Sequence, residues 1–137
     1  RDNWKGRMVL KGVTSSEDAL LARDAGVDAV EVSNHGGRQL ESAPAAIDAL
    51  ARIRAAVGDD YPLLFDSGLR GGEDIVKTCA VGADFTMVGR VLLYALAADG
   101  ERGLNDFTDL LAEEISLTLA QLGATSVDQI SREMLVG

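Results

Sequence analysis

Two rhythms of apolar residues run along this chain. Short apolar runs predict four strands: Met8-Val9-Leu10, ending at Lys11-Gly12; Ala29-Val30-Glu31-Val32; Pro62-Leu63-Leu64-Phe65; and Phe85-Thr86-Met87-Val88. Between them the apolar spacing lengthens to three and four residues, the period of a helix face. Ser15 or Ser16 caps a first helix, with Glu17 and Asp18 in its first turn, where the helix dipole favours acidic groups. That helix carries Ala19, Leu20, Ala22 and Ala25 and stops at Gly26. Pro44 suits the first turn of a second helix, whose apolar positions are Ile47, Leu50, Ile53 and Val57. A third helix is expected from Glu73 to Ala80, a short one from Leu92 to Ala97, and a long amphipathic one from Leu104 to Leu122. One more turn is expected after Thr125.

The strands are apolar on both faces and separated by helices, which predicts a parallel sheet buried on both sides. There is a weak internal repeat. Glu17-Asp18 followed by Gly26-Val27-Asp28 returns as Glu73-Asp74 followed by Gly82-Ala83-Asp84. Tandem strand-helix units of this kind point to an α/β fold, a (β/α)8 barrel more than a doubly wound sheet. Four strands cannot close that barrel. The expectation is half a barrel, or the ordered part of a larger protein. The opening Arg1-Asp2-Asn3-Trp4 has no Met and no signal-peptide core, and reads like the middle of a longer chain.

Composition narrows the function. The 137 residues are 47% apolar and 26% charged, a globular composition with enough chain for a real core. The net charge of −9, from 13 basic and 22 acidic residues, argues against a nucleic-acid partner. An anionic ligand must therefore be held by a few focused donors. A lone cysteine, Cys79, excludes an internal disulfide and fits a reduced compartment; its place inside a helix suggests a structural role. One His and one Cys make no metal-ligand cluster. No apolar run approaches the roughly 20 residues that span a bilayer.

Ligands of parallel α/β folds bind at the C-terminal ends of the strands. Each predicted strand here ends in unusual residues: Lys11-Gly12, then Ser33-Asn34-His35-Gly36-Gly37-Arg38, then Asp66-Ser67-Gly68-Leu69-Arg70-Gly71-Gly72, then Gly89-Arg90. Glycines there let backbone N–H groups approach a phosphate, and arginines add charge and a fork of donors. A single histidine is often an ordinary loop residue. His35, however, is followed by two glycines, sits at a strand end and lies three residues from Arg38. That pair suits an anionic substrate that must lose a proton: an arginine clamps a carboxylate and an imidazole changes charge near neutral pH. Lys11 reads as a solvated lysine, a Schiff-base former or a cofactor contact, and Asp66 as a turn residue or a ligand. Arg70 and Arg90 read as binding residues ahead of surface ion pairs.

Val9-Leu10-Lys11-Gly12, Ser33-Asn34-His35-Gly36-Gly37-Arg38-Gln39-Leu40, Asp66-Ser67-Gly68-Leu69-Arg70 and Gly89-Arg90 resemble, in order and spacing, the FMN-dependent 2-hydroxy acid dehydrogenases and oxidases. The resemblance spans almost the whole chain and is most specific at His-Gly-Gly-Arg-Gln. It implies that residues 1–137 are the C-terminal half of a TIM (β/α)8 barrel, its fifth to eighth strands. It implies FMN as cofactor and a 2-hydroxy acid of the L-lactate, mandelate or glycolate type as substrate, oxidised to the 2-oxo acid. Lys11 and Ser33 would contact the flavin, His35 would be the catalytic base, and Arg38, with His35, would bind the substrate. Asp66, Ser67, Gly68, Leu69, Arg70, Gly89 and Arg90 would hold the ribityl and phosphate groups. Ser67 stands where the family often has glycine, and Gly71 where the oxidases commonly have a second arginine. With Leu93-Tyr94-Ala95-Leu96-Ala97 these features lean toward the lactate and mandelate dehydrogenases.

The same reading implies a homo-oligomer in the cytoplasm, or attached at the cytoplasmic face of the inner membrane through a loop outside this sequence. Two other readings stay open at this point. One is a different FMN- or phosphate-binding barrel enzyme. The other is a half-barrel fragment that only assembles, driven by its exposed strand edges.

Overall fold

The computed structural model of the chain describes residues 2–135. Four parallel strands lie in sequence order: β1 (Val9–Val13), β2 (Ala29–Val32), β3 (Leu63–Phe65) and β4 (Phe85–Thr86). Helices α1 (Ser16–Asp24), α2 (Ala46–Val57) and α3 (Gly72–Val81) connect them, and α4 (Arg90–Gln121) follows β4. The result is a partial (β/α) barrel.

The local signals act where the sequence puts them. Ser15 caps α1, its hydroxyl accepting the Asp18 N–H at 3.4 Å. α2 starts two residues after Pro44, with Ala45 at the cap position, so proline precedes the helix instead of forming its first turn. Leu50, Ile53 and Val57 bury as expected, but Ile47 is half exposed, and Ala46 and Ala49 take the inward positions. The two predicted C-terminal helices are both present within α4, as two helical stretches separated where Asp99 and Gly100 leave helical geometry. Two 3-10 turns, Val127–Gln129 and Arg132–Met134, complete the described tail.

Burial on both faces holds only for the middle of the sheet. β2 is buried throughout, and Leu63 and Phe65 of β3 are fully inside with Val30, Val32, Leu50 and Ile53. The outer strands depart from the expectation. Val9 and Leu10 of β1 and Phe85 of β4 are exposed, because each outer strand pairs on one side only. β4 is also shorter than predicted, since Met87 and Val88 already belong to the loop above it. Trp4 is 57% exposed and closes its own turn, donating to the Arg7 carbonyl at 3.1 Å.

The end of the sheet opposite the strand C-termini is held by Arg54. Its guanidinium pairs with Asp84 at 2.6 Å and donates to the carbonyls of Gly58, Asp59, Tyr61 and Gly82. A rigid base of this kind leaves the loops at the other end free to carry function.

Candidate functional site

A cleft of about 980 Å³ opens at the C-terminal ends of the strands. Lys11, His35, Arg38, the loop Asp66–Arg70 and the segment Met87–Tyr94 line it. Lys11, His35, Arg38, Asp66 to Arg70, Gly89 and Arg90, from the ends of all four strands, therefore meet in one cavity; Ser33 is buried and does not line it, nor do Gly12, Asn34, Gly37, Gly71 and Gly72.

The β2 loop is built around left-handed backbone. His35 itself has φ +55°, and Gly36 and Gly37 follow at +65° and +76°. A left-handed non-glycine residue costs about 1 kcal/mol or more and persists only when its surroundings hold it. Here the His35 N–H donates to the Ser33 hydroxyl at 3.0 Å. The Gly36 N–H donates to the Asn34 side chain at 3.0 Å and to the Ser67 hydroxyl at 3.2 Å. The Gly36 carbonyl accepts from Arg90 at 3.3 Å, tying the β2 loop to the start of α4.

Gly12 gives the imidazole its place. It forms a bulge between Lys11 and Val13 in the β1–β2 pairing, with φ +91°. A Cβ there would stand 2.7 Å from His35 Nε2. The His35 side chain is exposed to the cleft, and so is Arg38.

Lys11 lies between two carboxylates. Its ammonium donates to Glu31 on β2 and to Asp66 at the end of β3. Glu31 is only 5% exposed. Burial pushes the Asp66 carboxyl up, but hydrogen bonds from Lys11, Ser33 and Ser67, with the Lys11 charge, outweigh it and hold Asp66 below the usual carboxylate range. Burial also works against the Lys11 ammonium, yet its hydrogen bonds to Asp66 and Glu31 and their charges raise it above the ordinary lysine value. Both groups are thus held charged.

Glu31 is the cleft-side partner that the local pattern hides, because it sits inside the strand run Ala29-Val30-Glu31-Val32. Its signal was present: one acidic residue in an otherwise apolar run, in direct register with Lys11 on the neighbouring strand.

The β3 and β4 loops bring open backbone and arginines to the cleft. A Cβ at Gly68 or Gly89 would meet nothing within 4 Å, so both backbones are open to close approach. Arg70, Arg90 and the start of α4 line the same cleft. The N-terminus of α3 is not open in this way. Glu114 of α4 accepts the Gly72 N–H at 2.6 Å, and Asp74 accepts the Arg70 N–H at 2.9 Å. Of these two helix starts, the α4 end is the one that lines the cleft. Among the described residues, no group of three or more His, Cys, Asp and Glu side chains could hold a metal ion. Among the same residues no helix is long and apolar enough to cross a membrane. Cys79 is half-buried in α3, and burial, with Asp84 and Asp128, pushes its thiol up, which opposes a nucleophilic role.

Comparison with known proteins fits this geometry. The profile of the FMN-dependent dehydrogenase family matches residues 1–137. L-lactate dehydrogenase of Caulobacter sp. (strain K31) is 45% identical over 135 residues, covering 98% of this chain and 36% of that protein. Pre-mycofactocin synthase of Mycolicibacterium smegmatis is 46% identical over 137 residues, covering 99% of this chain and 34% of that protein. Among solved structures, a soluble mutant of the membrane-associated (S)-mandelate dehydrogenase from Pseudomonas putida superposes with a TM-score of 0.93 at 43% identity. That match covers 98% of this chain and 38% of the mandelate dehydrogenase chain. The chain spans about a third of the length of these relatives. The chain belongs to the FMN-dependent dehydrogenase family.

Proposed function

We propose that the chain is the C-terminal half of the barrel domain of an enzyme that oxidises a 2-hydroxy acid, of the L-lactate, mandelate or glycolate type, to the 2-oxo acid with FMN. The observation that carries this reading is the shared cleft, which gathers an imidazole and a guanidinium beside an anion-binding rim.

The residues fit the cofactor. Gly68 and Gly89 offer open backbone, Arg70 and Arg90 offer positive charge, and the start of α4 faces the same space. These groups, with Asp66, Ser67 and Leu69, would hold the phosphate and ribityl chain, and Lys11 and Ser33 would lie toward the ring. Bound FMN would supply the two-electron acceptor. His35 takes the proton from the 2-hydroxy acid. Arg38 clamps its carboxylate, and its guanidinium forms no hydrogen bond or ion pair among the described residues, so its donors are available. Lys11, already paired with Glu31 and Asp66, brings positive charge held in a fixed place.

The exposed outer strands support assembly with the rest of a barrel, and homo-oligomerisation completes the reading. The location is cytoplasmic, with attachment at the inner membrane only through a segment outside this sequence. The membrane-associated mandelate dehydrogenase makes that second location worth testing.

The test is spectroscopic. The complete protein is purified, its visible spectrum recorded, and L-lactate, mandelate and glycolate added without oxygen. A yellow protein bleached by one of them is expected. A flavoprotein indifferent to all 2-hydroxy acids would point to another phosphate-binding barrel enzyme. A colourless oligomer would point to assembly alone.

A further inference from the structure

Ser67 has a backbone conformation that its side chain opposes. Its φ is +89°, in the region that favours glycine. A strained residue persists when its surroundings over-determine it, and strain of this kind clusters at functional sites. The surroundings of Ser67 are unusually complete. Its hydroxyl accepts the N–H of Asn34 at 3.2 Å and the N–H of Gly36 at 3.2 Å. These two amides flank His35 on either side. The same hydroxyl donates its proton to Asp66 Oδ1 at 2.7 Å and lies 3.5 Å from the Ser33 hydroxyl, which in turn accepts the His35 N–H. The other Asp66 oxygen takes the Lys11 ammonium.

One hydroxyl therefore joins the β3 loop to both sides of a left-handed histidine in the β2 loop. Its proton is directed at a carboxylate that its hydrogen bonds and the Lys11 charge hold charged against its own burial, so both lone pairs are free for the two amides. Glycine would reach the same φ without strain but could supply none of these bonds.

We propose that Ser67 is a positioning residue for His35, holding the imidazole at its working place by tethering the Asn34 and Gly36 amides to Asp66. This deepens the proposed function and rests on His35 being the base. The hydroxyl is spent within the protein, so any contact of Ser67 with the cofactor is left to its backbone on the cleft wall, and its side chain acts through the histidine loop.

The experiment uses the complete FMN-loaded protein with Ser67→Ala and Ser67→Gly, and His35→Gln as reference. Two quantities are read: hydrogen exchange of residues 33–38, and the rate constant and apparent Kd for anaerobic flavin reduction by the 2-hydroxy acid. Both Ser67 variants are expected to keep a yellow, folded protein, to exchange faster over 33–38, and to lose roughly ten- to a hundredfold in the reduction rate constant with little change in apparent Kd. Ser67→Gly is the decisive variant, because it relieves the strained φ. A residue that served folding alone would leave that variant as fast as the parent.

Unchanged exchange over 33–38 would overturn the tether. Faster exchange with an unchanged reduction rate, while His35→Gln is inactive, would overturn the positioning role. Normal flavin reduction by His35→Gln would instead overturn the base assignment, and exchange would still decide the tether by itself.

Discussion

The imidazole of His35 rests over the backbone of Gly12, where an added Cβ would come within 2.7 Å of Nε2. The bulge at the end of β1 is therefore part of the histidine's seat, although the two residues lie on different strand ends. Gly12→Ala brings two penalties. It forces an L side chain into φ +91°, and it pushes the imidazole away from its place. The variant is expected to lose about 1–2 kcal/mol of stability. It should also lose roughly tenfold or more in the rate of flavin reduction, because small displacements of a reacting group are costly. Denaturant unfolding and stopped-flow reduction of the complete protein check both. Parent-like turnover would show that the imidazole has room elsewhere.

Lys11 and Glu31 form a second testable pair. Glu31 is buried, and removing its cation leaves a carboxylate without its counter-charge inside the sheet. Lys11→Met is expected to destabilise the protein by about 2–4 kcal/mol. Combining it with Glu31→Leu should recover much of that loss, because both charges then leave together. Urea unfolding of the two single variants and the double variant gives the coupling. Additive losses would mean that the pair contributes nothing specific.

The same cluster sets a pH window. Asp66 is held below its ordinary value, so it contributes stability that is present above the unfolded carboxylate range and fades as pH falls through its folded value. Lys11 is held above its ordinary 10.5, so its contribution is complete below that value and fades as pH rises through its folded value. Stability from this cluster should be flat across neutral pH and fall at both extremes. Lys11→Met should reduce the acid and alkaline losses together. A variant with the parent's full pH dependence would place those losses elsewhere in the chain.

Much of this arrangement was legible in the sequence, for physical reasons that differ by element. β2 carries an apolar run buried on every side, so its span and its loop could be read directly. The glycine-rich loops announced themselves because left-handed backbone demands glycine at Gly12, Gly36, Gly37 and Gly68. The exposure of Val9, Leu10 and Phe85 was hidden, since a residue's own hydrophobicity does not say whether a neighbouring strand covers it. Glu31 was hidden because its meaning depends on register with Lys11, a fact of pairing and not of local pattern. The Ser67 tether was hidden for a related reason. Its partners lie more than 30 residues away, and only the fold brings the two loops together.

His35 is proposed as the base that starts oxidation of a 2-hydroxy acid. Anaerobic flavin reduction by His35→Gln in the complete protein tests it most directly. The variant is expected to keep FMN and bind substrate but leave the flavin oxidised, with the rate constant reduced by at least about 10²-fold, the low end of general-base contributions. Flavin reduction at the parent's rate would contradict it.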